Sequence, residues 1–502
     1  MDRMEPFCGD GFAGEEALRD PGLLDVAGVT GDLDGVWCPS ECDVADEAEE
    51  PDTSERPPKG TFLDEMILLR EPEGSAIVSA IIARIDEQRS RGRKPQVREM
   101  ENERSLIGCM VANGLRCHWY RRSPVVAYKR MAAGYSNKPH RPDWLSGRAL
   151  KQVVMLLAEA GFVTTTVGRR WTASSYAVTD ELLALASEHG IAEQSLLLHL
   201  HRDELVRLRG QKPRPYWDIH KWRRVYPKAP RIPFESTQET EAWRDMLSAY
   251  NAFLADQSIS VEVPDAIGAR WVDHLNKDNA YSEPPILKPE LFRTSVYRVF
   301  NDGEAEQPRF DRGGRLFGPW WANATKEVRA LISINGEPTI ELDFRACHPC
   351  MLYHERGLEA PDEPYSTPGI AEYERKTGLP QGHLRTFEKW LTQVLINGRG
   401  RPDLASRPED VDFNRSQIRA FAAMIKNHHA PIASAFGSGA GVRLMKAESE
   451  IALAIVSRAM VEGWVALSIH DSFIAPRSAR DRLRQLMEEE YITRVGGQPK
   501  ID

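Results

Sequence analysis

The sequence has no apolar run near the ~18–20 residues that a helix needs to cross a bilayer, so no membrane-spanning segment is expected. Its N-terminus lacks a positive stretch followed by an apolar core, so no secretory signal is expected. Cysteine is sparse: seven in 502 residues, odd in number and without regular spacing. That argues against a disulfide framework and for a reducing, cytoplasmic compartment. Cys38 and Cys42 stand alone in their region, too few for a metal site. No stretch repeats at a fixed period, which excludes solenoids and arrays.

What is present has the ordinary apolar content of a globular protein, 41%, and a length that suits two to four domains. The net charge of −9 is unevenly divided. Residues 1–60 hold 17 Asp/Glu and 4 Lys/Arg, leaving 57 Asp/Glu and 61 Lys/Arg for the rest, so a tail of −13 precedes a body of +4. The tail has little apolar periodicity and is expected to be a disordered, solvated segment. A sharper expectation is that it masks the basic body or recruits a protein partner. The body divides into a basic block at 61–190, a connecting region at 191–300 and a third part at 301–502.

The most informative stretch is Val465-Ala-Leu-Ser-Ile-His-Asp-Ser-Phe-Ile474. Two apolar runs with polar residues between them read as two short strands joined by a tight turn. His470 and Asp471 fall in that turn, where a carboxylate is costly unless a cation or donor meets it. Asp and Ser also favour turns for their own sake, so a plain hairpin is the bland alternative. A second segment, Thr339-Ile-Glu-Leu-Asp-Phe344, alternates as a strand does and is followed by a helix opening with Pro349 in its first turn. Asp343 therefore ends a strand just before a helix. Two carboxylates on neighbouring strand ends can hold two divalent metals ~3.5–4 Å apart, the clamp of in-line phosphoryl transfer. Mg²⁺ suits such a site because phosphates and water complete its shell, and Mn²⁺ is the natural substitute. Residues 385, 389 and 393 recur every four positions and line one helical face.

Taken in order, these segments resemble the palm and fingers of family A DNA polymerases and of single-subunit, phage-type RNA polymerases. Asp343 matches the metal-binding Asp after the first palm strand, and His470-Asp471 matches the pair in the later hairpin. Arg385, Lys389, Gln393 and Asn397-Gly398 match the fingers helix, and Phe436–Glu450 is similar to the helix before the hairpin. The resemblance spans roughly residues 300–495. It implies that Asp343 and Asp471 carry two Mg²⁺ ions, that Lys389 and Arg385 meet a nucleoside triphosphate, and that His470 positions the 3′ end of the growing strand. Lys389 would also protonate the pyrophosphate. Ser472 follows His-Asp as in the RNA polymerases. His348 stands where DNA polymerases carry a Glu that blocks the ribose 2′-OH, and Asn397 replaces an aromatic. His348, Gln393 and Asn397 are thus expected near the nucleotide, and the choice between dNTP and NTP stays open. No acidic pattern of a proofreading exonuclease accompanies them.

The basic block adds a second expectation. Arg89-Ser-Arg-Gly-Arg-Lys94, with Arg91 and Arg93, suits phosphate contact. Ser146 as N-cap, Gly161 after the last turn, and an apolar stripe of Leu150, Val153, Val154 and Leu157 mark a helix. Phe162–Val167 and Ser175–Thr179 read as strands around a basic loop with Arg169 and Arg170, and a helix begins near Asp180. The order is similar to a winged helix-turn-helix, with Arg148 and Lys151 facing a DNA groove and Arg169 and Arg170 at the backbone. An interaction domain of the same shape is the alternative. In the connecting region, Asp203–Gly210 is expected as a strand and Thr237–Asp256 as a helix with Trp243, Met246, Leu247 and Tyr250 inward. Residues 211–234, rich in Pro, Lys, Arg and aromatics, read as a loop able to touch nucleic acid.

The expected fold is α+β: a right-hand polymerase core behind a winged-helix-like domain and an acidic tail. The expected function is template-directed nucleotidyl transfer on a DNA template or primer–template. A DNA-binding regulator on an inactive core is the alternative of another class. A thiol-redox protein built on Cys347 and Cys350 is a third.

Overall fold

A computed structural model of the chain describes residues 60–89, 96–129, 142, 144–168, 173–213, 215–218, 223–225, 227–279, 284–304, 306–398 and 413–502. The acidic tail up to residue 59, and Arg91, Arg93, Arg169 and Arg170, lie outside the described residues. The chain is mixed α/β, and no helix among the described residues is long and apolar enough to cross a membrane.

The buried apolar residues form two clusters. One draws on residues 63–198 with Phe292, the other on residues 205–491. The first surrounds strands β1 (Thr61–Phe62), β2 (Ile67–Leu69), β3 (Val125–Tyr128), β4 (Val163–Thr166), β5 (Ser174–Val178) and β6 (Leu196–Leu198). They make a four-stranded sheet in the order β1-β3-β5-β4 and a separate β2-β6 pair. The Val97–Tyr120 helix crosses behind them, buried over its C-terminal half. There a Cβ on Gly114 would stand 2.5 Å from the Val178 side chain, so the helix and β5 approach as only glycine allows.

The helix and strand signals among the described residues of the basic block form close to where they are expected. The Gly147–Glu159 helix starts where Ser146 Oγ accepts the Ala149 N–H at 3.1 Å, buries Leu150, Val153, Val154 and Leu157, and is followed by Gly161 at φ +83°. Strands β4 and β5 pair antiparallel, and a helix opens at Asp180. Arg148 on the Gly147–Glu159 helix is exposed and Lys151 half-exposed.

The second cluster is built on strands β7 (Val206–Leu208), β8 (Tyr216–Asp218), β9 (Arg223–Val225), β10 (Ile259–Val261), β11 (Tyr297–Phe300), β12 (Gly313–Phe317), β13 (Ile332–Ile334), β14 (Glu337–Asp343), β15 (Leu467–Ile469) and β16 (Ser472–Pro476). A five-stranded sheet in the order β10-β13-β14-β16-β15 is antiparallel throughout. A three-stranded sheet, β12-β11-β7, packs on the Gly441–Val461 helix. The Gln238–Ala255 helix buries Trp243, Leu247 and Tyr250, leaves Met246 half-buried, and also buries Arg244.

The expected strand at 203–210 needs correction. Residues Arg202–Leu205 form a 3-10 turn, and only Val206–Leu208 is strand, parallel to β11. The His201 carbonyl accepts the Glu204 N–H at 2.8 Å, and this local turn outcompetes extension.

The two clusters are joined through a buried ion cluster. Glu290 accepts Arg116 Nε at 2.6 Å and Arg121 Nη2 at 2.8 Å, and also pairs with Arg293. Burial alone would raise the Glu290 pKa, but Arg116, Arg293 and Arg121 together hold the carboxyl well below its usual range. Around it Arg122 N–H bonds the Pro285 carbonyl and Leu287 N–H the Tyr120 carbonyl, which stitches residues 285–293 to the end of the Val97–Tyr120 helix.

Candidate active site

Strand pairing brings the two acidic motifs together. In the β14–β16 ladder, Asp343 lies opposite Ser472, one residue from Asp471. Strands β15 and β16 are joined by a two-residue turn, His470-Asp471, with Ile469 opposite Ser472. His470 takes φ +58°, the left-handed conformation that closes the turn. The Phe344 N–H donates to the Asp471 carbonyl at 3.1 Å, which fixes the hairpin tip beside the end of β14. Asp343 itself is exposed at the strand end and Asp471 is half-buried.

Both acids are pushed toward the neutral form. For Asp343 the causes are desolvation by the surrounding protein, then the charge of Asp471, with Lys389 opposing. For Asp471 they are desolvation, then the charge of Glu448, with Arg315 and His348 opposing. Glu341 and Asp502 add further negative charge around Asp343. A divalent cation relieves this repulsion directly. Among the described residues no group of three or more His, Cys, Asp and Glu side chains is arranged to hold an ion. Two neighbouring carboxylates suit a cation that completes its shell from phosphates and water, as Mg²⁺ does.

Lys389 lies near enough to Asp343 to oppose the upward shift of its pKa. Lys389 and Arg385 are exposed on the Arg385–Asn397 helix, and Gln393 lies half-buried on the same face. Arg385 stands 3.6 Å from Glu363, which also pairs with Arg345. Gln393 Nε2 donates to the Tyr365 hydroxyl at 3.0 Å. Asn397 is directed elsewhere: a Cβ on Gly441 would meet its Oδ1 at 1.5 Å, so it packs on the start of the Gly441–Val461 helix. Its Oδ1 is buried without a hydrogen-bond partner.

His348 is buried, and its Nε2 lies 2.9 Å from Glu448 Oε2. Glu448 in turn accepts two bonds from Arg315, at 2.8 and 2.7 Å. Burial alone would raise the Glu448 pKa, but Arg315 and His348 hold it well below the carboxylate range. His470 packs edge-on to Phe317 with centroids 5.8 Å apart, and its Nδ1 is buried without a partner. Desolvation, with Arg315 adding to it, brings the His470 pKa down to about 3, so the ring is neutral at ordinary pH.

Three participants escaped the sequence reading: Arg315, Glu448 and Tyr365. Tyr365 is buried, and its hydroxyl pKa is raised by burial with Asp471 among the minor causes. The paired glycines before Arg315 were the available signal. A Cβ on Gly314 would lie 2.7 Å from Ser449 Oγ, so β12 runs close against the helix that carries Glu448. Residues 500–502 also reach the site: Asp502 N–H bonds the Asp343 carbonyl at 3.1 Å, and Arg345 N–H bonds the Lys500 carbonyl at 2.8 Å.

Cys347 and Cys350 open the Cys347–His354 helix as buried thiols. Burial pushes Cys350 up to about 11 and Cys347 well above the ordinary thiol value. Thiols so raised are poor nucleophiles at neutral pH, which weighs against redox chemistry.

No protein-family model matches this chain, and no curated protein matches it. Among solved structures, the polymerase domain of Pol1 from M. smegmatis, in complex with DNA primer–template and dNTP, is similar at 11% sequence identity and a TM-score of 0.27. The match covers 87% of this chain and 66% of that one. A likeness of that size carries no inference about chemistry.

Proposed function

We propose that the chain is a template-directed nucleotidyltransferase whose residues 301–502 serve as palm and fingers. The observation that carries this reading is the meeting of Asp343 and Asp471 at adjoining ends of β14 and the β15–β16 hairpin, with the charge of Lys389 reaching Asp343. Asp343 and Asp471 would hold divalent ions. When bound, Mg²⁺ supplies activation of a 3′-hydroxyl and neutralisation of charge on the transferring phosphoryl group.

The chain's own residues do the rest. Lys389 and Arg385 approach the triphosphate, Lys389 as a point charge and Arg385 as a planar fork. Lys389 is the general acid for the departing pyrophosphate. His470, neutral and packed edge-on to Phe317, would position the 3′ end of the strand through the shape of the hairpin tip. His348, fixed by Glu448, forms a rigid wall by the sugar. Gln393 and Tyr365 frame the nucleotide between the paired acids and the Arg385–Asn397 helix. Asn397, packed on Gly441, acts on the junction of two helices rather than on the sugar.

The basic N-terminal unit would hold the template as a winged-helix-like domain. Arg148 and Lys151 would face the groove and Arg91, Arg93, Arg169 and Arg170 the phosphates. The acidic tail would recruit a protein partner or compete for this surface.

The test offers dNTPs and NTPs separately to the purified chain with Mg²⁺ and a labelled primer–template, or template alone, with Asp343→Ala as control. Extension by dNTPs that vanishes in the variant identifies a DNA polymerase. Product from NTPs, above all without primer, identifies an RNA polymerase or primase. No product from any combination, with DNA binding intact, favours the regulator.

A further inference from the structure

Strands β8 (Tyr216–Asp218) and β9 (Arg223–Val225) form a small hairpin in the stretch between β7 and Pro230. At its root the Gly210 N–H donates to the Pro230 carbonyl at 2.8 Å, the Ile232 N–H to the Leu208 carbonyl at 2.9 Å, and Arg209 bridges Arg231. In the hairpin itself, β8 and β9 pair antiparallel with Trp217 opposite Arg224, and no other strand among the described residues joins them. Tyr216 is 54% exposed and Trp217 57% exposed. Consecutive strand residues point to opposite faces, so both faces of the hairpin at this point are open to solvent. An isolated two-stranded hairpin is marginal alone, and two large aromatics left uncovered on it are an interaction surface waiting for a partner.

The charge says which partner. Residues 211–228 hold six Lys/Arg and one Asp, together with four Tyr/Trp. A polyanion with flat apolar faces matches that composition: cations take phosphates and the aromatics take unpaired bases, whose stacking is indifferent to sequence. The root also has a suitable address. It extends from β7, in the sheet whose strand β12 carries Arg315 to Glu448, beside Asp471. Each half of residues 211–229, roughly nine residues long, reaches at most about 30 Å when extended.

We propose that the hairpin binds single-stranded nucleic acid, stacking bases on Trp217 and Tyr216. The choice of an unpaired strand near the paired acids rests on the polymerase reading, whereas the binding does not require it. The experiment uses the full chain without metal or nucleotides. Fluorescence anisotropy follows a labelled oligo(dT) of about 20 nucleotides, long enough to span such a groove, and a duplex of the same length. Trp217→Ala and Tyr216→Ala are each expected to weaken oligo(dT) binding by about 5- to 150-fold, with duplex affinity held within twofold. Trp217→Phe keeps most of the affinity because it keeps a ring. Both side chains are exposed, so the melting transition stays where it was. An unchanged oligo(dT) affinity in the double variant overturns the proposal. So does an equal loss for oligo(dT) and duplex, which would show that the rings do not stack on unpaired bases. If instead Asp343→Ala leaves nucleotide addition unaltered, the polymerase reading fails while this binding result stands.

Discussion

Glu448→Gln is the most informative single change near the paired acids. The native carboxylate is 2% exposed, accepts both nitrogens of a fork from Arg315, and holds His348 through Nε2. The variant keeps the shape but removes the charge that compensates Arg315, itself largely covered (14% exposed) on β12, which packs against the Gly441–Val461 helix. Breaking one side of a buried pair costs about 3–5 kcal/mol. The pair sits in the core that spans residues 205–491; at about 2 °C per kcal/mol, the low end for large units, a fall of about 6–10 °C is expected. A second consequence follows from Asp471, whose acidity is set partly by Glu448 and Arg315. With Glu448 neutral, Arg315 turns its full charge on Asp471 and competes with a divalent cation. Glu448→Gln therefore needs more Mg²⁺ for half-maximal nucleotide addition. Arg315→Leu/Glu448→Leu should recover most of the lost stability, because no buried charge is left unpaired, and should bring the Mg²⁺ requirement back toward the parent's, because the uncompensated charge beside Asp471 is gone. Scanning calorimetry and a Mg²⁺ titration of nucleotide addition read the two effects. A variant as stable as the parent, with an unaltered Mg²⁺ requirement, would refute the coupling of this network to Asp471.

Other outcomes are expected elsewhere in the molecule. Glu290→Gln leaves Arg116, Arg121 and Arg293 without their shared carboxylate, for a loss of about 3–5 kcal/mol by the same rule; urea unfolding measures it. Because the folded pKa of Glu290 is depressed, its stabilisation is full above the unfolded value and is lost as pH falls through and below about 4.3. An acid titration should show that extra lability in the parent and not in Glu290→Gln. Gly441→Ala, whose new Cβ meets Asn397 Oδ1, is expected to destabilise by about 1–3 kcal/mol, and Asn397→Ala in the same chain should restore most of it. Lys389→Ala should raise the nucleotide KM at least about tenfold and lower kcat as well, since the lost charge serves both binding and transfer. Iodoacetamide at neutral pH should leave Cys347 and Cys350 unmodified in the folded chain, because both thiols are buried and raised.

How much of this was legible depended on sequence distance. The Gly147–Glu159 helix carried its own start, stripe and stop in Ser146, Leu150–Leu157 and Gly161, and formed as read. The apolar runs around His470-Asp471 specified the hairpin, and alternation before Phe344 specified β14. These are local patterns, set by residues a few positions apart. Partners far apart in the chain left no such trace. Arg315 and Glu448 are separated by 133 residues and Arg116 and Glu290 by 174, and nothing in the periodicity of either segment announces its mate. Buried Arg298, lying against the stacked rings of Trp243 and Phe300 and bonded to Ser449 and Glu450, is the same case. The misread strand at 203–210 has another cause: alternating residues favour extension, but His201 offers its carbonyl and its ring to the next turn. The resemblance puts Asn397 beside the nucleotide, and packing on Gly441 turns it to the neighbouring helix.

The central claim is that Asp343 and Asp471 together carry metal-dependent nucleotide addition. Single-turnover addition of one nucleotide to a labelled primer–template, in Mg²⁺, tests it in the parent, Asp343→Asn and Asp471→Asn. Both variants keep the backbone pairing of β14 with β16 and should remain folded and bound to DNA. The account expects addition by the parent and a fall of about a thousandfold or more in each variant, the scale of losing a major electrostatic contributor to a transition state. Addition at the parental rate in either variant would contradict it.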